Sequence, residues 1–447
     1  MEKLITKDDY LDWIYERGNS GGKKHTLEKI RRLLAHFGNP QDKIKVIHVA
    51  GTNGKGSTCR FLAQTIGKNY SCGLFTSPYM VRINESVSIN GEEISDQDFK
   101  AYIDRLRPVV ESLDEEGYHN TYFEVLTALM YLYFYDKKVD YAVVEVGLGG
   151  TVDCTNIIKN PIASVITTIS KDHTQILGDT LEEIASNKAG IIKKNTPVFV
   201  YPQKEVAMEV IKKKADDENS QIFSFTKDEI EINKLDTSLN EFSFRSFKNI
   251  RTKLIGIHQV YNASLALMVL DYFKDEFNLD DELIKESFYQ TTNPGRLQEI
   301  SKSPRVIVDG SHNQEAIDIL LESLKEFTYD KLILGFSVLE DKNHDYIIGK
   351  LANVADEIIV TSIDNPRAMS LDNIEKEFLI HGKSVRKVSD RKEAFKKSLD
   401  LAGEDDLVLW CGSLYLIGDI LKFKDELIKW KKCAGCTLFY YIFFISK

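Results

Sequence analysis

The chain has 447 residues, 43% hydrophobic and 28% charged, with only nine prolines; this balance excludes long disordered stretches, and the length exceeds what one core organises, so two domains are expected. Its net charge of -10 comes from acids and bases interspersed along the sequence, which excludes a nucleic-acid surface built on a basic stripe and confines any phosphate chemistry to a local site. Six cysteines, with Cys59, Cys72, Cys154 and Cys411 widely scattered, read as small buried hydrophobes in a reducing compartment; the first twenty residues lack the apolar core of a secretory signal and no segment spans a membrane, so the cytoplasm is expected.

In chain order, TLEKIRRLLAHF reads as a helix ending at Gly38, and KVIHVA at 45–50 as a strand. That strand runs into Gly51-Thr52-Asn53-Gly54-Lys55-Gly56-Ser57-Thr58 and then the helical pattern CRFLAQTIGK. Glycines let backbone N–H groups turn toward an anion, a helix N-terminus adds positive potential, Lys55 neutralises phosphate charge, and a Ser57 or Thr58 hydroxyl can reach magnesium. The order strand, glycine loop, helix makes a triphosphate cradle. It departs from the common phosphate-loop spacing, because three residues rather than five separate the first glycine from the lysine and Gly56 parts Lys55 from Ser57.

Further along, Ser95-Asp96-Gln97-Asp98 opens a helix to about Glu116, while YAVVEV at 141–146 and IASVITTI at 162–169 read as buried parallel strands. Glu145 therefore stands at the carboxyl end of a parallel strand, ahead of Gly147-Leu148-Gly149-Gly150, where α/β folds place ligands. After Pro294-Gly295-Arg296 the alternation restarts with RVIVDG, a helix from about Gln314, then KLILGF, DEIIVTS and DLVLWC. The fold class expected is α/β: a phosphate-loop N-terminal domain with a mostly parallel sheet at 1–295, and a smaller Rossmann-like C-terminal domain at 296–432, with a ligand cleft between them. The apolar tail 433–447, which holds the Cys433–Cys436 pair, is set outside the catalytic unit, because a lone CxxC lacks the second pair that a metal site needs.

GTNGKGS, TSP, EVGLGG, DH, NKAGI, HQVYNA, PGRLQ, DGSHN and GSLYLIG follow one another in an order that resembles folylpolyglutamate synthase and dihydrofolate synthase, members of the Mur ligase superfamily, over about residues 20 to 425. The resemblance implies an ATP-dependent ligase that joins L-glutamate to the carboxylate of a folate or of dihydropteroate through an acyl phosphate, giving ADP and phosphate. Such chemistry needs metal and lysine to screen two anions that repel, with water kept away. The resemblance implies one or two magnesium ions held by Ser57, Ser77, Glu145 and His173, a possible carbamate on Lys188, and nucleotide contacts from Asn262, Arg296 and Asp309 beside the 51–58 loop. It gives catalytic roles to Lys55, Lys188 and His312, and assigns the pterin to Leu27, Glu28, Lys29 and Ile30 together with Thr121, Tyr122, Phe123 and Glu124. Arg296, beside the boundary, is expected to meet phosphate only on domain closure. A monomer is expected, with no nucleic-acid or membrane partner.

Three departures from the family pattern stand out: Ser86 where arginine is common, Asn187 where glutamate usually precedes the lysine, and Gln314 where proline follows the histidine motif. Each residue taken singly also has a plain structural role open to it. Glu145 could cap a helix, Ser77 could serve the turn before Pro78, Lys188 could be an exposed helix lysine and His312 could bind backbone at a helix start. A nucleotide switch or kinase would share the loop without needing Glu145, His173 and Lys188 in that order. A cell-wall Mur enzyme would share the chemistry with other carboxylate and amine partners, and a non-catalytic binding module would hold nucleotide without turnover.

Overall fold

The computed structural model describes residues 7–18 and 26–445; side chains at 7–9, 430 and 432–445 lie outside the description, and the Cys433–Cys436 pair with them. The chain divides into two compact units, one made of residues up to 233 with 241–252 and 258–291, the other of 234–240, 253–257 and 292 onward.

The first unit is built on eight strands: β1 (Lys45–Ala50), β2 (Cys72–Phe75), β3 (Val87–Ile89), β4 (Glu92–Glu93), β5 (Tyr141–Glu145), β6 (Ala163–Ile166), β7 (Val198–Val200) and β8 (Ile222–Ser224). They lie in the order β4-β3-β2-β5-β1-β6-β7-β8. The six from β2 to β8 pair in parallel, and only β3 and β4 at the edge run antiparallel. A parallel strand covered by helices on both faces needs apolar residues at every position, and β1 is buried from Val46 to Ala50. At roughly 1.5–3 kcal/mol for each fully buried Val, Ile or Leu, this central strand is among the best-anchored elements of the unit, and the phosphate loop leaves directly from its end.

The helix-start signals hold. Ser95 caps the helix Asp96–Glu115 by accepting from Asp98 N, and the helix Glu28–Ala35 stops three residues short of Gly38, which takes a positive φ of 72°. One strand is shorter than its apolar run implies. IASVITTI pairs only from Ala163 to Ile166, because Thr167 to Ser170 leave the ladder to bond the phosphate loop.

Three strands, β9 (Ile230–Leu235), β10 (Asn240–Phe244) and β11 (Phe247–Thr252), form a small sheet in the order β11-β10-β9. The second unit has β12 (Gln298–Lys302), β13 (Arg305–Val308), β14 (Leu332–Phe336), β15 (Glu357–Val360), β16 (Arg386–Lys387) and β17 (Leu407–Cys411), ordered β12-β13-β17-β14-β15-β16. All but β12 pair in parallel, around a core that includes Ile307, Leu334, Phe336, Val360 and Leu409. The last helix runs Leu414–Ile445, so the backbone of the apolar tail continues it rather than standing apart. Among the described residues no helix is long and apolar enough to cross a membrane.

Candidate active site

At the end of β1 the chain cannot carry a side chain. A Cβ on Gly51, whose φ is +149°, would lie 1.8 Å from Thr167 Oγ1, and one on Gly54, with φ +86°, would lie 2.4 Å from Asn262 Oδ1. Gly54 is the N-cap of the helix Lys55–Ile66; no side chain caps this end and no acid stands in its first turn. The positive end of its dipole is therefore not answered by a capping side chain or an acid of the first turn, an arrangement that favours an external anion. The second glycine also brings Asn262, from the helix Ile257–Tyr272, onto the loop.

The loop is fastened by the segment after β6. Thr52 N donates to Thr168 O at 2.6 Å, Asn53 N donates to Thr168 Oγ1 at 3.2 Å, and Thr52 Oγ1 donates to Ser170 O at 3.1 Å. Two ammonium groups meet on one carbonyl inside it: Lys188 Nζ donates to Gly51 O at 2.7 Å, and Lys55 Nζ donates to Gly51 O at 3.2 Å and Thr52 O at 3.1 Å. Glu145 Oε1 lies 3.8 Å from Lys55 Nζ, and Glu145 Oε2 accepts from Ser77 N at 3.3 Å. The structure thus brings together Lys55, Ser77, Glu145, Lys188 and Asn262 around the loop.

Lys188 is 4% exposed, which removes the reading as a surface lysine. Burial pushes its pKa down to about 7, with repulsion from Lys55 in the same direction and Asp172 and Asp153 opposing it. Near neutrality the amine is therefore substantially uncharged and nucleophilic. Its place comes from packing: Gly149 and Gly150 lie against Asn187 and Lys188 so closely that a Cβ on either would meet them at 2.6 Å, and Thr151 N donates to Asn187 O at 2.9 Å.

His173 has a positive φ of 51° at the start of the short helix Thr174–Leu177; its N–H donates to Asp172 Oδ1 at 2.9 Å and its Nε2 lies 3.9 Å from Asp172 Oδ2. Among the described residues no three His, Cys, Asp or Glu side chains converge on one point. Glu145 brings one carboxylate beside the loop, and magnesium takes one or two carboxylates and completes its octahedron with phosphate oxygens and water. A second observation fits: Ser57 and Thr58 are buried in the first turn of the loop helix, and Thr58 Oγ1 has no hydrogen-bond partner in the protein.

Of the pterin candidates, Leu27 and Ile30 belong to the core around the helix Glu28–Ala35, Glu28 is paired with Arg31 and Arg32 at 3.0 and 2.8 Å, and Lys29 Nζ donates to His119 O at 2.9 Å. Thr121 and Glu124 close a reciprocal capping box, so the Glu124 carboxylate is already engaged by Thr121 N at 2.7 Å. Tyr122 stacks on Tyr15 with ring centroids 5.8 Å apart, and Phe123 lies against Gly147, where a Cβ would meet its ring at 2.4 Å. The second stretch therefore abuts the glycine loop that follows Glu145.

In the second unit the PGR and DGSHN motifs come together. Asp309 Oδ2 accepts from Leu297 N at 2.7 Å, its Oδ1 accepts from Ser311 N at 2.8 Å, and a Cβ on Gly310 would lie 3.2 Å from Arg296 Nη1. His312 Nδ1 donates to Gly310 O at 2.7 Å, which fixes that tautomer and makes Nε2 the acceptor of the neutral ring. Gln314 occupies the first position of the helix capped by Asn313, where proline is favoured because its missing N–H is an orphan anyway; glutamine there loses nothing.

A buried polar chain escaped the sequence reading. His48 Nε2 lies 2.9 Å from Thr155 Oγ1, Thr155 Oγ1 donates to Asp153 Oδ1 at 2.5 Å, and Asp153 Oδ2 accepts from Leu148 N at 2.8 Å. Burial holds His48 down to about 3, so it is a neutral ring that orders, through two side chains, the turn after Glu145. The signals were present: a histidine inside the apolar run KVIHVA, and Asp-x-Thr in VDCTN, a turn-forming pair.

Comparison with known proteins places this arrangement. The Mur ligase middle domain matches residues 49–270 and the Mur ligase glutamate ligase domain matches residues 295–414. The molecule is therefore a Mur-type enzyme, an ATP-using ligase that forms carbon–nitrogen bonds. It is 37% identical over 425 residues to the dihydrofolate synthase/folylpolyglutamate synthase of Bacillus subtilis, covering 93% of this chain and 98% of that one. It is 31% identical to the dihydrofolate synthetase of Saccharomyces cerevisiae over 90% of this chain and 98% of the relative. The crystal structure of Mycobacterium tuberculosis folylpolyglutamate synthase complexed with ADP and AMPPCP superposes with a TM-score of 0.85 at 29% identity, covering 94% of this chain and 99% of that one. The chain belongs to the dihydrofolate synthase/folylpolyglutamate synthase family.

Proposed function

We propose that this ligase adds L-glutamate to the carboxylate of both a folate and dihydropteroate. A carboxylate oxygen attacks the γ-phosphorus of ATP and ADP departs; the glutamate amine then attacks the acyl carbon, loses a proton, and phosphate leaves. The observation that carries the reading is the meeting of Lys55 and Lys188 on Gly51 O, beside the Glu145 carboxylate and an uncapped helix start. Backbone amides where the loop enters the helix Lys55–Ile66 cradle the phosphates, Lys55 draws the γ-phosphate, and Asn262 steadies the loop from the side. From the second unit Arg296, Asp309 and His312 supply further nucleotide contacts, His312 presenting Nε2. Magnesium, for which Ser57, Ser77, Glu145 and His173 are the candidate ligands, supplies charge screening between the two anions. The pterin is held by the stretches 27–30 and 121–124. In this reading the enzyme works as a cytoplasmic monomer.

The test incubates purified protein with ATP, magnesium and glutamate, offers dihydropteroate or tetrahydrofolate, and identifies products by mass. Expected is one added glutamyl unit on each acceptor with ADP release that depends on the acceptor; ADP release with no glutamyl product sinks the assignment.

The neutral fraction of Lys188 supports a carbamate: the amine nitrogen attacks carbon dioxide, sheds a proton, and a buried cation becomes an anion. With 13C-labelled bicarbonate, a protein-bound carbamate resonance is expected that grows as pH rises through about 7 and is absent from Lys188→Met. A resonance that persists in that variant would place the label elsewhere.

A further inference from the structure

We propose that Gln203 is a positioning residue for the nucleotide, acting through Thr168 to set the phosphate loop. The parallel pairing of β6 and β7 ends at Ile166 and Val200, with one last bond from Tyr201 N to Ile166 O at 2.9 Å. The Gln203 side chain takes over the ladder: Nε2 donates to Thr167 O at 2.6 Å, and Oε1 accepts from Ile169 N at 3.1 Å.

These two bonds bridge the peptide groups on either side of Thr168, so a single planar amide fixes that residue from behind. Thr168 is the one that holds the loop. Its carbonyl accepts from Thr52 N at 2.6 Å, and its hydroxyl is 3.2 Å from Asn53 N and 3.3 Å from Asn53 O. Ser170, two residues on, exchanges both its N–H and its carbonyl with Thr52 Oγ1 at 3.1 Å. The close approach of Thr167 Oγ1 to the Cβ position of Gly51 shows how little room the segment has to shift without displacing the loop. The Gln203 amide bonds Thr167 and Ile169, so its influence on the loop passes through the backbone at 167–170.

The inference rests on the nucleotide reading of residues 51–58, and its test separates the two. ADP affinity is measured by calorimetry for the full chain, for Lys55→Ala, for Gln203→Met, which keeps length and loses both bonds, and for Gln203→Glu, which keeps the acceptor toward Ile169 N. Wild type binds ADP and Lys55→Ala binds it weakly if the loop is the nucleotide site; the reverse removes the reading itself. Gln203→Met is expected to weaken ADP binding and raise KM for ATP about tenfold, the order expected for two ordering hydrogen bonds, with KM for the pterin substrate and Tm essentially unchanged. Gln203→Glu is expected to fall between wild type and Gln203→Met. Unchanged ADP affinity in Gln203→Met overturns the proposal, and so does an equal rise in both KM values with a lowered Tm, which marks a generally structural side chain.

Discussion

Lys55→Ala is expected to lower kcat/KM by at least about 10³-fold, roughly 4 kcal/mol of transition-state stabilisation, while Tm stays within a few degrees of wild type. The asymmetry follows from what the ammonium group touches. Its protein contacts are two loop carbonyls, one of which still accepts from Lys188 Nζ once Lys55 is gone, and a Glu145 oxygen 3.8 Å away. Against a triphosphate the same group would answer several negative charges in a desolvated site, where no water can replace it. A second readout separates charge from shape: Lys55 repulsion helps to lower the Lys188 pKa, so its removal is expected to raise that pKa above about 7 and shrink the carbamate resonance at fixed pH. Steady-state rates alongside thermal unfolding check the first expectation, and near-normal turnover would sink the phosphate-cradle assignment.

Glu145→Gln is expected to raise the magnesium concentration for half-maximal activity at least tenfold and to cut kcat about 10²-fold, with the fold kept. Glutamine retains an oxygen to accept from Ser77 N, so the 77 loop stays in place. What it lacks is the charge. Glu145 is 4% exposed and ends a fully buried strand, a costly place for a carboxylate unless a cation is normally near. The Lys55 ammonium stands 3.8 Å from it. A metal titration that superimposes on wild type would refute the ligand role.

The parts of this site that sequence carries well are those where residue type leaves one option. Gly51 and Gly54 are needed where no Cβ fits, and a lysine that follows a strand and glycine loop at a helix start has few structural reasons to be there. Boundaries were less legible. IASVITTI looks like one strand because Thr is a good strand former, yet tertiary bonds to Thr52 and Asn53 pull its last residues out of the ladder. Burial of Lys188 was invisible, since LEEIASNKAGI has the composition of an exposed helix and the close approach of Gly149 and Gly150 to its backbone, like the bond from its amine to Gly51 O, exists only in the fold. The His48, Thr155 and Asp153 chain was missed because His48 lies 107 residues from Thr155 and joins the local Asp153–Thr155 pair only in the fold. Nor did sequence show that Glu28 and Glu124 also carry protein contacts, to Arg31 and Arg32 and within a helix cap.

The second unit holds its chemistry in a prepared form. The Asp309 carboxylate is gripped by Leu297 N and Ser311 N, the His312 ring is oriented by Gly310 O, and the Arg296 guanidinium is seated over Gly310. Freezing a free side chain costs up to about 2 kcal/mol, and for Asp309 and His312 that ordering is completed as the unit folds. On the proposed reading, a nucleotide would meet the Asp309 and His312 side chains already ordered, and a larger share of its contact energy would be left to favour the reacting geometry over the resting one.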